Sequence, residues 1–341
     1  MSIRVAINGF GRIGRMVFKA ASDDPAVDVI AVNDLTDTKT LANLLKYDSV
    51  HGKFDGVIEV KPDRLIVDDK ELLVFAEKDP SVLPWGKLGI DCVVESTGFF
   101  RTRSLISKHI TAGAKKVLVS APCRCEKNSA GVCEIDVKTI VLGVNEHAID
   151  KEKDILLSNA SCTTNCAAPM FKVLNDNFRI IHGGLTTIHA YTSDQRIIDA
   201  PHKDLRRGRD AAINIIPTTT GAATTVTEII PELKGRLEGI SIRVPVADGS
   251  ISVVTAEVEK DVTVEEVNKL FKDVSDHHLK GIVEYTEEPL VSSDIIDNPH
   301  SLIFDAAMTR VVDKRMIKIF GWYDNEYGYS CRMVDVIKMM F

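Results

Sequence analysis

Three features of the sequence predict an α/β protein: a Rossmann-type doubly wound parallel sheet joined to a second α+β domain on a mostly antiparallel sheet. In the first third, short apolar runs alternate with helical stretches, the rhythm of parallel strands with crossover helices. Gly9-Phe-Gly11-Arg-Ile-Gly14 joins the first run to the first helix. From about residue 180 the rhythm gives way to longer strands with alternating faces. At 341 residues two domains are expected. The expected bounds are 1–161 for the first and 162–325 for the second, with a closing helix over 326–341 packing back on the first.

The elements follow in order. Ile3–Asn8 reads as a buried strand, and Arg12–Ala21 as a helix with Ile13, Val17 and Phe18 on its apolar face. Val27–Asn33 is the second strand and Thr38–Tyr47 the second helix. Gly52–Lys78 alternates apolar and polar residues, like inserted antiparallel strands. Cys92–Glu95, Lys116–Ser120 and Thr139–Gly143 are further strands. Ile155–Leu157 precedes a helical stretch that runs toward Asn175. Gly184–His189, Ser241–Val246 and Ser250–Glu259 belong to the second sheet, and Tyr329–Phe341 carries Met333, Val334, Ile337 and Met340 at helical spacing. Tyr191–Pro217 is long, charged and without period, which marks a functional loop or an interface element.

Composition narrows the function classes. Apolar residues make up 45% and charged residues 27%, enough for buried cores and unlike a disordered or disulfide-scaffold chain. A net charge of −7 gives no global attraction to nucleic acid or to an acidic membrane surface. The basic stretch His202–Arg209 is diluted by Asp199, Asp204 and Asp210 and lacks aromatic residues for base stacking. No run approaches the ~18 apolar residues of a membrane span. Seven scattered cysteines fit a reduced, cytoplasmic setting.

The first glycine motif has a physical reading at each position. Gly9 permits a tight turn, Gly11 lets the backbone approach a pyrophosphate, and Gly14 allows close helix–sheet packing. The helix start then offers N–H groups and a positive dipole to phosphates. Asp34 ends the second strand, where an acid accepts hydrogen bonds from ribose hydroxyls and repels a 2′-phosphate, favouring NAD over NADP. Ser96-Thr97-Gly98 follows another strand and lines the same cleft.

A nucleophile stands in Ser158-Asn-Ala-Ser161-Cys162-Thr163-Thr164-Asn165-Cys166. Cys162 falls in the first turn of a helix, where the dipole is expected to lower its thiol pKa. Cys166 reads as a buried structural thiol. His189, at a strand end, is the candidate base. Cys123-Arg-Cys125 and Cys133 do not match a zinc spacing, so no metal is expected and they read as incidental thiols of a surface loop.

Taken together, Asn8–Gly14, Ser158–Asn165, His189-Ala-Tyr-Thr192, Pro217–Ala223, Arg243-Val-Pro245 and Trp322-Tyr-Asp-Asn-Glu326 resemble phosphorylating glyceraldehyde-3-phosphate dehydrogenases from first strand to last helix. That resemblance implies a hemithioacetal and then a thioester on Cys162, with His189 as base, NAD as hydride acceptor, and inorganic phosphate releasing 1,3-bisphosphoglycerate. It implies Thr192 and Arg243 for the substrate phosphate, and Ser161, Thr163, Thr220, Gly221 and Arg207 for the attacking phosphate. For the cofactor it implies Gly9, Phe10, Gly11, Arg12, Ile13, Asp34, Lys78, Thr97, Ser120 and Asn325, and for the assembly a homotetramer with the 191–217 loop between subunits.

Three positions depart from the family pattern. Ser193 replaces an expected asparagine, Lys78 an expected arginine near the adenine, and Ala200 the leucine usual in NAD-specific forms, which admits some NADP use. Two other readings stay open on the sequence: an erythrose-4-phosphate dehydrogenase-like enzyme whose thioester is resolved by water, and a non-catalytic NAD-binding scaffold.

Overall fold

The computed structural model describes residues 2–127, 133–134 and 137–341. The chain forms two compact units, one of residues 1–140, 147–160 and 330–341, the other of residues 141–146 and 161–329.

The first unit is built on a nine-stranded sheet. Its order is Lys138–Thr139, Leu156–Ser158, Lys116–Val119, Cys92–Glu95, Ile3–Asn8, Val27–Asn33, Lys70–Phe75, Arg64–Val67 and Ile58–Val60. Neighbours are parallel as far as Lys70–Phe75, and the last two pairings are antiparallel. Strands buried on both faces need continuous apolar runs, and Cys92–Glu95 and Lys116–Val119 are buried at every position. Ile3–Asn8 lies centrally, between Val27–Asn33 on one side and Cys92–Glu95 on the other. Strand order therefore reverses at its carboxyl end, where open α/β sheets bind ligands. Ser330–Phe341 belongs to this unit. The buried Lys116 ammonium donates to Met340 O and lies 4.8 Å from the Phe341 ring centroid, while Lys338 pairs with Asp24 at 2.8 Å.

Two expectations shift in the first 160 residues. Thr139–Gly143 is not a strand beyond Thr139. Instead Val141 donates its N–H to Asn145 Oδ1, and Gly143 sits at φ +81° in the turn. Within Gly52–Lys78 the third segment, Lys70–Phe75, joins the main sheet parallel to Val27–Asn33, so the insertion is an extension of that sheet's edge.

The second unit carries an eight-stranded sheet in the order Ile216–Thr219, Leu237–Val244, Ile180–Ala190, Ser250–Val258, Met316–Tyr323, Leu302–Asp305 and Val283–Thr286, with Arg310–Val312 paired to Met316–Tyr323. Pairing is antiparallel except between Ile180–Ala190 and Leu237–Val244, and between Val283–Thr286 and Leu302–Asp305. Ser250–Val258 buries every second residue, as a sheet with one covered face demands. The helix Cys162–Phe178 packs against Ser250–Val258 and Met316–Tyr323. The register of the parallel pair sets His189 opposite Arg243. Among the described residues no helix is long and apolar enough to cross a membrane.

Candidate active site

In the first unit the glycines do three different things. Gly9 is at φ +93°, and a Cβ there would lie 2.7 Å from Thr97 N. A Cβ on Gly14 would lie 2.1 Å from Gly9 O, so the helix can approach its own turn only without one. A Cβ on Gly11 would meet nothing within 4 Å, which leaves the space a pyrophosphate needs. Gly11 is also the N-cap of helix Arg12–Ser22 and brings no side chain to its first turn.

Asp34 accepts the N–H groups of Phe10 at 2.9 Å and Thr36 at 3.1 Å, which holds its carboxylate at the end of Val27–Asn33. A pocket of about 410 Å³ opens beside it, bordered by Gly9, Gly11, Asp34, Lys78, Thr97 and Phe99. Open space at Gly11, an uncapped helix start and an acid at the strand end together fit a dinucleotide. Sequence reasoning missed Leu35 and Phe99, exposed apolar side chains on this pocket that offer a flat base its apolar surface. Their signal was weak, since each is a single apolar residue in a turn.

Four expected cofactor residues act differently from a direct side-chain contact. The Phe10 ring is buried and packs edge-on against Phe18 at 5.9 Å, so only its backbone faces the loop. The Arg12 guanidinium makes two 3.1 Å bonds to Asp48, whose carboxyl is held at about 2 by that partner and by the Val50 and His51 N–H groups, against the cost of its burial. Ile13 is half-buried on the same helix. Ser120 ends Lys116–Val119 and donates its N–H to Glu95 O at 3.0 Å.

In the second unit Cys162 is the first residue of its helix, and Ser161 is the N-cap, accepting from Thr164 N at 3.1 Å. Just ahead, Ala160 holds φ +54°, a left-handed conformation that costs a non-glycine residue roughly 1 kcal/mol. Cys162 Sγ lies 3.4 Å from His189 Nε2. His189 Nδ1 is 2.7 Å from Ala190 O and 2.7 Å from Arg243 Nη1, which also donates to Ala190 O at 3.0 Å. Nδ1 thus faces both an acceptor and a donor, and the tautomer that sends Nδ1–H to Ala190 O is the one that leaves Nε2 as an acceptor facing the thiol.

The expected lowering of the Cys162 pKa is corrected. Burial pushes the thiol up to about 11, while the Arg243 charge and the Thr163 N–H draw it back only in part. Burial and the Arg243 charge press His189 down to about 3. Each group alone resists its charge. A proton passed from Sγ to Nε2 creates both charges together, and their mutual attraction offsets the penalty either would meet alone.

The anion-binding candidates divide. Arg243 is buried along its stem, and its Nε has no hydrogen-bond partner, as an arginine awaiting an anion would. Thr192 begins a turn closed by Gln195, whose Oε1 accepts Thr192 N at 3.2 Å and whose buried Nε2 has no partner. Sequence reasoning missed Gln195. Thr220 Oγ1 accepts Ala222 N at 3.1 Å, and Gly221 is the open N-cap of Ala222–Ile229. Three expected phosphate ligands are engaged internally. Ser161 caps its helix, Thr163 Oγ1 lies 3.0 Å from Tyr323 OH, and Arg207 pairs with Asp194 and Asp204 and donates to Thr218 Oγ1. Asn325 Oδ1 accepts from Ser250 Oγ at 2.6 Å, which leaves its amide NH₂ to donate.

The remaining cysteines resolve differently. Cys166 is buried, donates to Gly321 O at 3.6 Å, and is raised by burial, as a structural thiol should be. Cys123 is buried and raised to about 11. Cys125 is disulfide-bonded, so it is not an incidental free thiol. The Cys133 side chain lies outside the described residues.

Comparison with known proteins bears on both units. A family model for the glyceraldehyde 3-phosphate dehydrogenase NAD binding domain matches residues 3–103, and one for the C-terminal domain of the same dehydrogenase matches residues 161–325. The chain is 54% identical to a glyceraldehyde-3-phosphate dehydrogenase of Geobacillus stearothermophilus, over 98% of this chain and 97% of that protein. It is 55% identical to one of Thermotoga maritima, over 99% and 98%. Identity is 53% to glyceraldehyde-3-phosphate dehydrogenase 1 of Bacillus subtilis, over 98% and 97%.

Proposed function

The chain belongs to the glyceraldehyde-3-phosphate dehydrogenase family, and on that premise we propose how its own residues divide the NAD-dependent oxidation of glyceraldehyde 3-phosphate. Cys162 Sγ attacks the aldehyde carbon. Its proton passes through His189 Nε2 to the carbonyl oxygen as the C=O pair moves there, giving the hemithioacetal. NAD, when bound, accepts the hydride from that carbon. His189 then removes the hydroxyl proton as the carbonyl re-forms, leaving a thioester. A phosphate oxygen attacks the thioester carbon, the C–S bond breaks, and Cys162 leaves as thiolate while 1,3-bisphosphoglycerate departs.

The 3.4 Å approach of Cys162 Sγ to His189 Nε2 at a helix start carries this reading. Arg243 and Thr192 take the substrate phosphate, supported by the unpartnered Arg243 Nε. Thr220 and Gly221 receive the attacking phosphate at an N-terminus whose N-cap glycine brings no side chain. For Ser161, Thr163 and Arg207 the role is to hold that pocket's walls, with phosphate reached through exchange of their present partners. Gly9, Gly11, Asp34 and Thr97 hold NAD, with the backbone of Phe10, Arg12 and Ile13 at the phosphates, Lys78 toward the adenine and Ser120 beside the cleft. Asn325 donates its NH₂ to the nicotinamide amide. The protein works as a homotetramer, supported by the exposed Ile197, Ile198, Leu205, Ile213 and Ile215 of the 191–217 segment. Its setting is the cytoplasm, where Cys162 stays reduced.

The test follows NADH absorbance with glyceraldehyde 3-phosphate and NAD, with and without phosphate or arsenate, and again with NADP. Fast reduction of NAD that depends on phosphate is expected. Equal turnover without phosphate would return the hydrolytic alternative, and faster reduction of NADP would show that Ala200 outweighs Asp34.

A further inference from the structure

Beneath the dinucleotide loop lies a chain of polar side chains whose buried members Glu95, His109 and Asn33 the reaction does not use. Glu95, the last residue of the strand Cys92–Glu95, is 1% exposed, and His109, on the short helix Lys108–Thr111, is 0% exposed. His109 Nε2 is 3.1 Å from Glu95 Oε2, and Trp85 Nε1 is 3.1 Å from His109 Nδ1. Asn8 Nδ2 donates to Glu95 Oε2 at 2.6 Å, Thr97 N to Glu95 Oε1 at 2.8 Å, and Thr97 Oγ1 to the same oxygen. Asn33 Nδ2 donates to Asn8 Oδ1 at 2.7 Å and to Glu77 O at 2.9 Å, while Asn33 Oδ1 accepts Glu77 N at 2.8 Å.

The direction of the bonds at His109 follows from one residue. An indole N–H can only donate, so His109 Nδ1 accepts and carries no proton. The imidazole is then neutral, with its proton on Nε2 pointing at Glu95. The other partners of Glu95 are an amide NH₂, a backbone N–H and a threonine hydroxyl, all able to donate. Four donors converge on two carboxylate oxygens, which suits a carboxylate and excludes a protonated acid.

We propose that Glu95 is the positioning residue of the NAD site. Its carboxylate sets Asn8, immediately before the Gly9 turn, and Thr97, against whose backbone Gly9 packs. Through Asn8 it sets Asn33, immediately before Asp34. Ser96 Oγ, donating to Gly9 O at 2.7 Å, closes the same junction. One buried anion thus orients the two strand ends and the turn that border the pocket, with His109 held in the required tautomer by Trp85. The proposal rests on the reading of that pocket as the NAD groove.

The test measures the Kd of NAD by calorimetry on the full chain, without turnover, for Glu95→Gln, His109→Leu, His109→Gln and, as a check on the site itself, Asp34→Ala. Gln at 95 presents an NH₂ to donors and is expected to weaken NAD about tenfold, the size of one buried unsatisfied group. Leu at 109 strands both Trp85 Nε1–H and Glu95 and should do the same. Gln at 109 can accept from the indole and donate to the carboxylate, so it should stay within about threefold of the parent. Nitrogen-15 NMR of the parent should find His109 Nδ1 without a proton. If Asp34→Ala weakens NAD while Glu95→Gln and His109→Leu bind like the parent, the proposal is overturned and the groove stands. If Asp34→Ala has no effect, the groove reading itself fails. A Glu95→Gln chain that does not fold leaves the His109 pair to decide: equal affinity of the Leu and Gln forms overturns the proposal.

Discussion

Cys162 illustrates how far a residue's chemistry is carried by its neighbours in sequence. Its position at a helix start was readable from Ser161-Cys162-Thr163 and the apolar run before it, and His189 could be named as a strand-end candidate. The sign of the thiol's pKa could not be read, because the burial that raises it comes from strands more than twenty residues away along the chain. Removing His189 should expose that burial directly. In the parent, iodoacetamide reacts with the thiolate formed by proton transfer to Nε2. In His189→Asn no acceptor remains, so the thiolate must form by loss of its proton to solvent. The alkylation midpoint should therefore move up toward about 11, and the rate at neutral pH should fall steeply. An unchanged pH profile would mean that His189 plays no part in ionising Cys162. Arg207 marks the opposite limit. Its type suited phosphate, but nothing in the local sequence announced that Asp194 and Asp204 would hold it.

Among the elements, those that carry function were the ones most readable, because they depend on local rules. Ile3–Asn8, Val27–Asn33 and Cys92–Glu95 were read to the residue, since each carries a buried apolar run toward its carboxyl end. Val264–Asp276 went unread although its start is written as Thr263-Val-Glu-Glu266, a capping box the structure forms in full. Thr139–Gly143 was misread because Val141 and Leu142 are buried in a turn, and burial alone does not distinguish turn from strand. The helix Arg12–Ser22 supplies a prediction at this scale. Gly14→Ala would place a methyl 2.1 Å from Gly9 O, a backbone atom that cannot rotate away. Stability in urea should drop by about 1–3 kcal/mol, and the shifted turn should bind NAD more weakly. Gly11→Ala, which meets nothing within 4 Å, should leave stability unchanged while still hindering NAD. Equal stability losses for the two variants would contradict these separate roles.

For the molecule as a whole, the two-part organisation followed from the change of rhythm near residue 180, whereas the assignment of 141–146 to the second unit did not. That short stretch belongs there through contacts such as Gly143 with Leu279, which join residues distant in sequence. Ile197, Ile198, Leu205, Ile213 and Ile215 are each more than two-thirds exposed, an unusual concentration of apolar surface on one charged loop. Sedimentation of the purified protein should give a tetramer, and Ile213→Asp with Ile215→Asp should yield smaller species. A parent that sediments as a monomer would remove the interface reading.

The closing helix also has a consequence in time. Residues 330–341 complete a unit that begins with the first strand, and Met333, Ile337 and Met340 fill its core. Synthesis proceeds from the other end, at roughly 5–20 residues per second. The first unit's strands therefore emerge long before residues 330–341, and the places of Met333, Ile337 and Met340 in its core stand unfilled through the translation of residues 161–329. During that interval the nascent chain is a natural client for a chaperone, because Met333, Ile337 and Met340 leave the ribosome only after residues 161–329.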